Sequence, residues 1–345
     1  MPELRGPSRA VALRAVQWGV VVALLSGGTA AAQEEEEGGS GSPIVSGDAP
    51  STFAFDYGDT ETTRAAAMSG AMRAAGNGTT GIFVNPAAMT LTRVYHIEAQ
   101  AQVTPEFGRH VYGGTIVDSV TSRLAGAFAV NGGFLDEGGI DRSWIDVRLA
   151  LAYPITDAFS VGFGGRYLKV VEDGLGPLGE SKASGGLRDP EGGRFALENV
   201  PTFDAGIAVR AGDILRIGLA GQNLSFPDHG LMPTTFGGGL AVATEDFTIE
   251  VDGVADFNSY EDIAARIMGG GELLLADSVP LRAGYRFDQG AESHSLSGGI
   301  GYLGREFSIE GSVRRTIAGP DATVLVFSVA YFLESSGLAR AGADM

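Results

Sequence analysis

Tyr95-His96-Ile97-Glu98-Ala99-Gln100-Ala101-Gln102-Val103 alternates without interruption, with Tyr, Ile, Ala and Val on one parity and His, Glu and Gln on the other. Successive side chains of a strand point to opposite faces, so the stretch reads as a β-strand with one apolar and one fully polar face. The period recurs downstream. Ile145, Val147, Leu149 and Leu151 alternate with Asp146, Arg148, Ala150 and Ala152; Leu281, Ala283, Tyr285 and Phe287 alternate with Arg282, Gly284, Arg286 and Asp288. Phe203 to Val209 and Phe307 to Val313 follow the same rule.

Strands are expected near 94–103, 110–118, 123–131, 143–153, 158–170, 202–210, 214–223, 234–243, 246–254, 264–276, 279–288, 293–303, 306–315 and 322–333. That is about fourteen, most near the length a tilted strand needs to cross a bilayer. Short links at 154–157, 211–213, 244–245, 276–278 and 303–306 alternate with long ones at 131–142, 171–201, 224–233 and 255–262. A membrane barrel alternates short periplasmic turns with longer outer loops, whereas a soluble sandwich has no such requirement. A bilayer forbids open sheet edges, so such strands must close. The fold class expected is therefore all-β: a closed antiparallel transmembrane barrel of about fourteen strands over 93–333, with an N-terminal helical or hatch plug.

The bulk composition agrees. The chain has 53 glycines among 345 residues, 19% charged residues and no cysteine. Glycine weakens helix interiors by about 1 kcal/mol relative to alanine, which disfavours a helical protein. No disulfide is available to a mature exported chain. Residues 1–32 read as a signal peptide: Arg5, Arg9 and Arg14 precede an apolar run from Ala15 to Leu25, and Ala30 and Ala32 sit before Gln33. That run is well short of the roughly 20 residues a spanning helix needs. Removing its three Arg and one Glu takes the formal charge from −18 to −20. Phosphate backbones demand a basic surface, so nucleic acid is excluded as a partner.

Residues 33–50 are an acidic, Gly/Ser-rich linker, and 51–92 the expected plug or hatch segment. Within it 59–76 reads as helical, rich in Ala and Met, and ends at Gly76-Asn77-Gly78. The plug residues expected to matter are Arg64, Ile82, Phe83, Val84, Asn85, Pro86, Ala87 and Met89. Residues 334–345 form a C-terminal tail.

By parity, Glu272 and Arg282 face inward about the turn at Asp277 and should be cross-strand neighbours. With Glu98, Arg210, Arg216, Arg286, Glu310 and Arg314 they form an expected lumenal charge network that fixes register and holds the plug; a polar track for substrate or ions is the alternative reading. The histidines at 96, 110, 229 and 294 show no ligand spacing, and no nucleophile motif stands near a base, so neither an enzyme nor a cofactor is expected. The runs Gly237 to Gly239 and Gly269 to Gly271 open no helix after a strand and read as strand bends rather than phosphate loops.

Arg64-Ala65-Ala66-Ala67-Met68-Ser69-Gly70-Ala71, with Asn85-Pro86-Ala87-Ala88-Met89, resembles the plug and hatch of the FadL-like outer-membrane superfamily, and most nearly its PorV and PorQ branch. Gly218 to Leu224, Met232 to Leu240, Gly271-Glu272-Leu273 and Leu281 to Arg286 resemble further motifs of that branch. Ser69 stands where the family usually has Gly, and the chain continues twelve residues past Leu333 where such barrels often end on an aromatic. The resemblance implies fourteen strands in the outer membrane, and an even strand count with the short links inside places both termini on the periplasmic side. It also implies a barrel, expected to be monomeric, among lipid and lipopolysaccharide. Two functions follow as expectations: gated transport of hydrophobic small molecules, or a non-transport barrel that assists secretion or surface attachment of a secreted protein. A diffusion porin is disfavoured, because a plugged fourteen-stranded barrel leaves little bore.

Overall fold

The computed structural model describes residues 60–137, 140–173, 195–196, 200–227, 232–257 and 262–333. The expected signal peptide, linker, first part of the plug segment (51–59), most of the 171–201 loop and the C-terminal tail lie outside the described residues.

Fourteen antiparallel strands make the wall: β1 (Tyr95–Thr104), β2 (Arg109–Asp118), β3 (Ala125–Glu137), β4 (Ile140–Pro154), β5 (Phe159–Asp173), β6 (Val200–Ala211) and β7 (Leu215–Gln222). They continue as β8 (Thr235–Ala243), β9 (Phe247–Asp256), β10 (Ala264–Leu275), β11 (Val279–Asp288), β12 (Ser293–Leu303), β13 (Phe307–Ala318) and β14 (Thr323–Phe332). Each pairs with the next, and β14 pairs back onto β1, with Ile97 opposite Tyr331. The sheet therefore has no open edge; a two-residue strand, Phe195–Ala196, adds to β5 at one rim.

The two parities of the opening stretch end up in different solvents. On β1, Gln102 is 2% exposed and Ile97 46% exposed. On β9, Glu250 and Asp252 are buried while Ile249 and Val251 face out. A belt of large apolar side chains covers the outside, among them Leu149, Phe163, Leu219, Leu240, Ile300 and Phe327. Water penalises an apolar surface that extensive, so the natural solvent of this face is hydrocarbon.

Three expectations need correction. First, the long connection expected at 131–142 is strand: β3 and β4 stay paired from Asn131 opposite Asp146 to Glu137 opposite Ile140. Within it Gly133 lies directly beneath the Trp144 indole, where a Cβ would collide with the ring. Second, the glycine runs of β8 and β10 keep a regular register on both sides, so they are not bends. Third, the loop lengths alternate less strictly than expected. The end where β1 starts and β14 finishes, here the near end, carries only short turns (119–124, 155–158, 212–214, 244–246, 276–278 and 304–306). The far end carries the long connections 174–199, 223–234 and 257–263, but also short ones at 105–108, 138–139, 289–292 and 319–322.

Candidate functional site

The segment from Thr60 to Leu91 runs inside the wall, against the polar face of the strands. It begins as α1 (Thr63–Ala67), N-capped by the Thr62 hydroxyl, which accepts from the Ala65 amide. The helix expected over 59–76 stops there. Ser69 and Gly70 adopt positive φ (55° and 89°), turning the chain out of the α conformation. The next amides then bond to the wall rather than to carbonyls four residues back. Met72 and Arg73 N–H both donate to Asp252 at 3.0 Å, and Ala74 and Ala75 N–H to Glu250 at 2.5 and 3.0 Å. Two inward carboxylates on β9 thus replace a helix's own hydrogen bonds.

After Gly78, α2 (Thr79–Val84) forms, followed by a 3-10 turn Pro86–Leu91. Asn85 joins these pieces: its side chain accepts from Ala87 N–H and donates to the carbonyls of Arg73 (2.8 Å) and Ile207 (3.1 Å). Close approach to the wall needs glycine beneath. A Cβ at Gly270 or Gly284 would press on the Met68 backbone, 2.8 Å from its carbonyl oxygen in each case.

Charges tie the first half of the segment. Arg64 donates to both oxygens of Glu272 (3.0 and 2.7 Å); Glu272 also accepts from Arg282 at 2.5 Å, and Arg282 reaches Glu310. Glu272 and Arg282 are register partners on β10 and β11. Arg286 (2.8 Å) and Arg314 both pair with Glu61. Burial alone would raise the Glu61 pKa, but the two guanidinium groups outweigh it and hold the carboxyl down at about 2. Burial likewise opposes the charge on Arg64, and Glu272 overrides it, so that pKa is raised.

The remaining residues of the expected charge network behave differently. Glu98 accepts from the Thr79 hydroxyl of α2, with no ion pair among the described contacts. Arg210 and Arg216 face each other across β6 and β7, and among the described residues no carboxylate meets either. Sequence reading passed over Glu61, the Glu250/Asp252 pair, and Asp146 held by Arg148 (3.0 Å) and Arg166 (2.8 Å). All but Glu61 show the inward parity of their strands, which is the signal that could have found them. Glu61 lies off the strands and has no such mark.

The second half of the segment meets a different wall. Ile82, Phe83 and Met89 pack against Val117 of β2, Ala125, Ala127 and Ala129 of β3, and Ala150 and Ala152 of β4. Thr79 to Leu91 contains no charged side chain. The Arg148 guanidinium stacks over Phe83, 5.0 Å from its centroid. Val84 turns back onto Ala65, Met68 and Met72. All eight residues expected in the plug therefore lie within the barrel, Arg64 among charges and the other seven in the uncharged half. At the near end a cavity of about 470 Å³ opens between the segment and the wall, with Arg64, Asn77, Thr79, Arg216 and Glu272 in its lining.

A closed antiparallel barrel of fourteen strands, apolar outside and occupied by residues 60–91 of its own chain, is the architecture of an outer-membrane β-barrel. Among solved structures the chain is similar to the toluene transporter TbuX of Ralstonia pickettii, with a TM-score of 0.59 and 14% identity, over 79% of this chain and 98% of that one. It is similar to the same degree to a FadL homologue of Pseudomonas aeruginosa (TM-score 0.59, 14% identity, 79% and 98% covered). The monoaromatic hydrocarbon channel CymD follows at 0.56, with 14% identity over 80% and 97%. No family model matches the chain. No curated protein matches it either. At such identities the likeness is one of fold: it meets the fold expected from the FadL resemblance and does not reach the narrower likeness to the PorV branch.

Proposed function

We propose that this protein is an outer-membrane channel for hydrophobic small molecules, and that Thr79 to Leu91 is the part that moves to open it. The observation that carries this reading is the two-sided interior. Residues 61–75 are fixed by carboxylates and guanidinium groups. Thr79 to Leu91 carries no charge of its own and rests its apolar side chains on alanines and a valine; its contacts with charged groups are Thr79 to Glu98, Phe83 under Arg148 and the Leu91 carbonyl to Arg210. Displacing them exposes an apolar wall to the lumen at the cost of few strong interactions, whereas displacing the first half breaks several buried ion pairs. Two of the similar solved structures, a toluene transporter and a monoaromatic hydrocarbon channel, support the substrate class. In this reading the near end, with its short turns and both strand termini, is periplasmic.

The test is uptake of radiolabelled toluene and of a labelled long-chain fatty acid by cells with and without the gene. Faster uptake of either supports transport; equal uptake of both overturns it. The tight charge ties favour a second reading, a permanently closed barrel that holds a secreted protein. Equal uptake, together with crosslinking of one specific exported protein to the 174–199 connection, would select that reading.

A further inference from the structure

We infer that the near-end cavity contains a binding site for a small carboxylate or phosphate anion, with Arg216 as its principal ligand and Arg210 beside it. The inference does not depend on whether the barrel conducts.

The argument is one of pairing among the charged side chains of the cavity. Of its cations, Arg64 and Arg282 share Glu272, and Arg282 also holds Glu310, so these four groups satisfy one another. Glu98, on the opposite wall, is engaged by Thr79; Glu245 and Asp246 line the rim of the cavity and make no described contact with Arg216. Arg216 is left over. Its Nη1 atom is buried and has no hydrogen-bond partner. Directly across the β6–β7 pair stands Arg210, whose Nε atom is likewise buried without a partner, and whose only bond among those described runs from Nη2 to the Leu91 carbonyl at 2.9 Å.

Two like charges opposed across a strand pair destabilise a sheet, and a buried donor without an acceptor adds its own cost. Among the described residues no carboxylate stands against this pair. An anion entering from the near end would relieve both costs. Arginine is suited to this: its planar fork meets a carboxylate or phosphate through two parallel hydrogen bonds. Arg216 lies at the second position of β7, just inside the 212–214 turn, so the ligand need not pass the inner segment to reach it.

The test is calorimetric titration of the full chain in zwitterionic micelles with two probes, inorganic phosphate and benzoate. Saturable binding of at least one is expected, with tighter phosphate pointing to a headgroup-type ligand and tighter benzoate to an organic acid. Arg216→Gln should weaken it by about tenfold or more, and Arg216→Lys by less, since lysine keeps the charge but loses the fork. No saturable binding of either probe below about 10 mM would overturn the site, as would equal affinity in wild type and Arg216→Gln. If Arg216→Gln fails to assemble, Arg216→Lys and Arg210→Gln carry the test, and unchanged affinity in both overturns the proposal.

Discussion

Single residues decide how the inner segment is held, and Glu61 is the clearest case. It lies off the spanning strands and receives Arg286 and Arg314 together. Its folded pKa, about 2, lies below the ordinary 4.5, so its contribution is fully present above about pH 4.5 and is lost as pH falls through about 2. Hydrogen-exchange protection of peptide 60–72, corrected for intrinsic rates, should therefore stay level from neutral pH to about 4.5 and collapse only near 2. A collapse already at pH 6 would contradict the assignment. Glu61→Gln should loosen the same peptide by about 3–5 kcal/mol at neutral pH, because it removes the carboxylate two buried guanidinium groups share. Ser69 shows what a residue-level reading catches and misses. Its departure from glycine was visible in sequence; the reason for it to matter, a left-handed φ of 55° stabilised by a hydroxyl contact with Ser297 at 2.7 Å, was not.

At the level of elements, the strands were almost fully legible, because period-two alternation is a local property of a chain with different solvents on its two faces. The Glu272–Arg282 pairing followed from the same parity. The inner segment was not legible in this way. Its Ala- and Met-rich composition favours helix, but Asp252 and Glu250, some 180 residues away, take its amides and leave only Thr63–Ala67 helical. Tertiary hydrogen bonds overrode propensity. The glycine runs misled for a related reason: Gly270 is required by contact with Met68, which is far off in sequence. Gly270→Val should dislodge the segment yet leave the barrel assembled, seen as new protease cleavage within 60–78 with unchanged heat-modifiable migration on gels. Gly253→Ala, which meets nothing within 4 Å, serves as the control. Equal protease resistance in the two variants would show that the segment does not rest on β10.

For the whole molecule, the outer belt sets stability through its depth in the bilayer. Val251, midway along β9 and 56% exposed, should lie near the bilayer centre, and Leu275, the last residue of β10, near the rim. Val251→Arg should cost about 2–4 kcal/mol and Leu275→Arg about 0–1, measured by denaturant titration of folding into lipid vesicles. Equal costs would mean that the apolar belt is not the membrane face. Closure carries a further, kinetic consequence. β1 finds its second neighbour only in β14, more than 200 residues later, so its free edge stays exposed until nearly the whole chain has been made. The inner segment precedes β1, yet touches strands from β1 to β14. It must be captured while the cylinder is still a curved ribbon, or be threaded in through one mouth after the seam has zipped. Birth of the barrel and seating of its contents are thus a single ordering problem, and the β1–β14 seam is the step at which assembly either encloses the segment or leaves it outside.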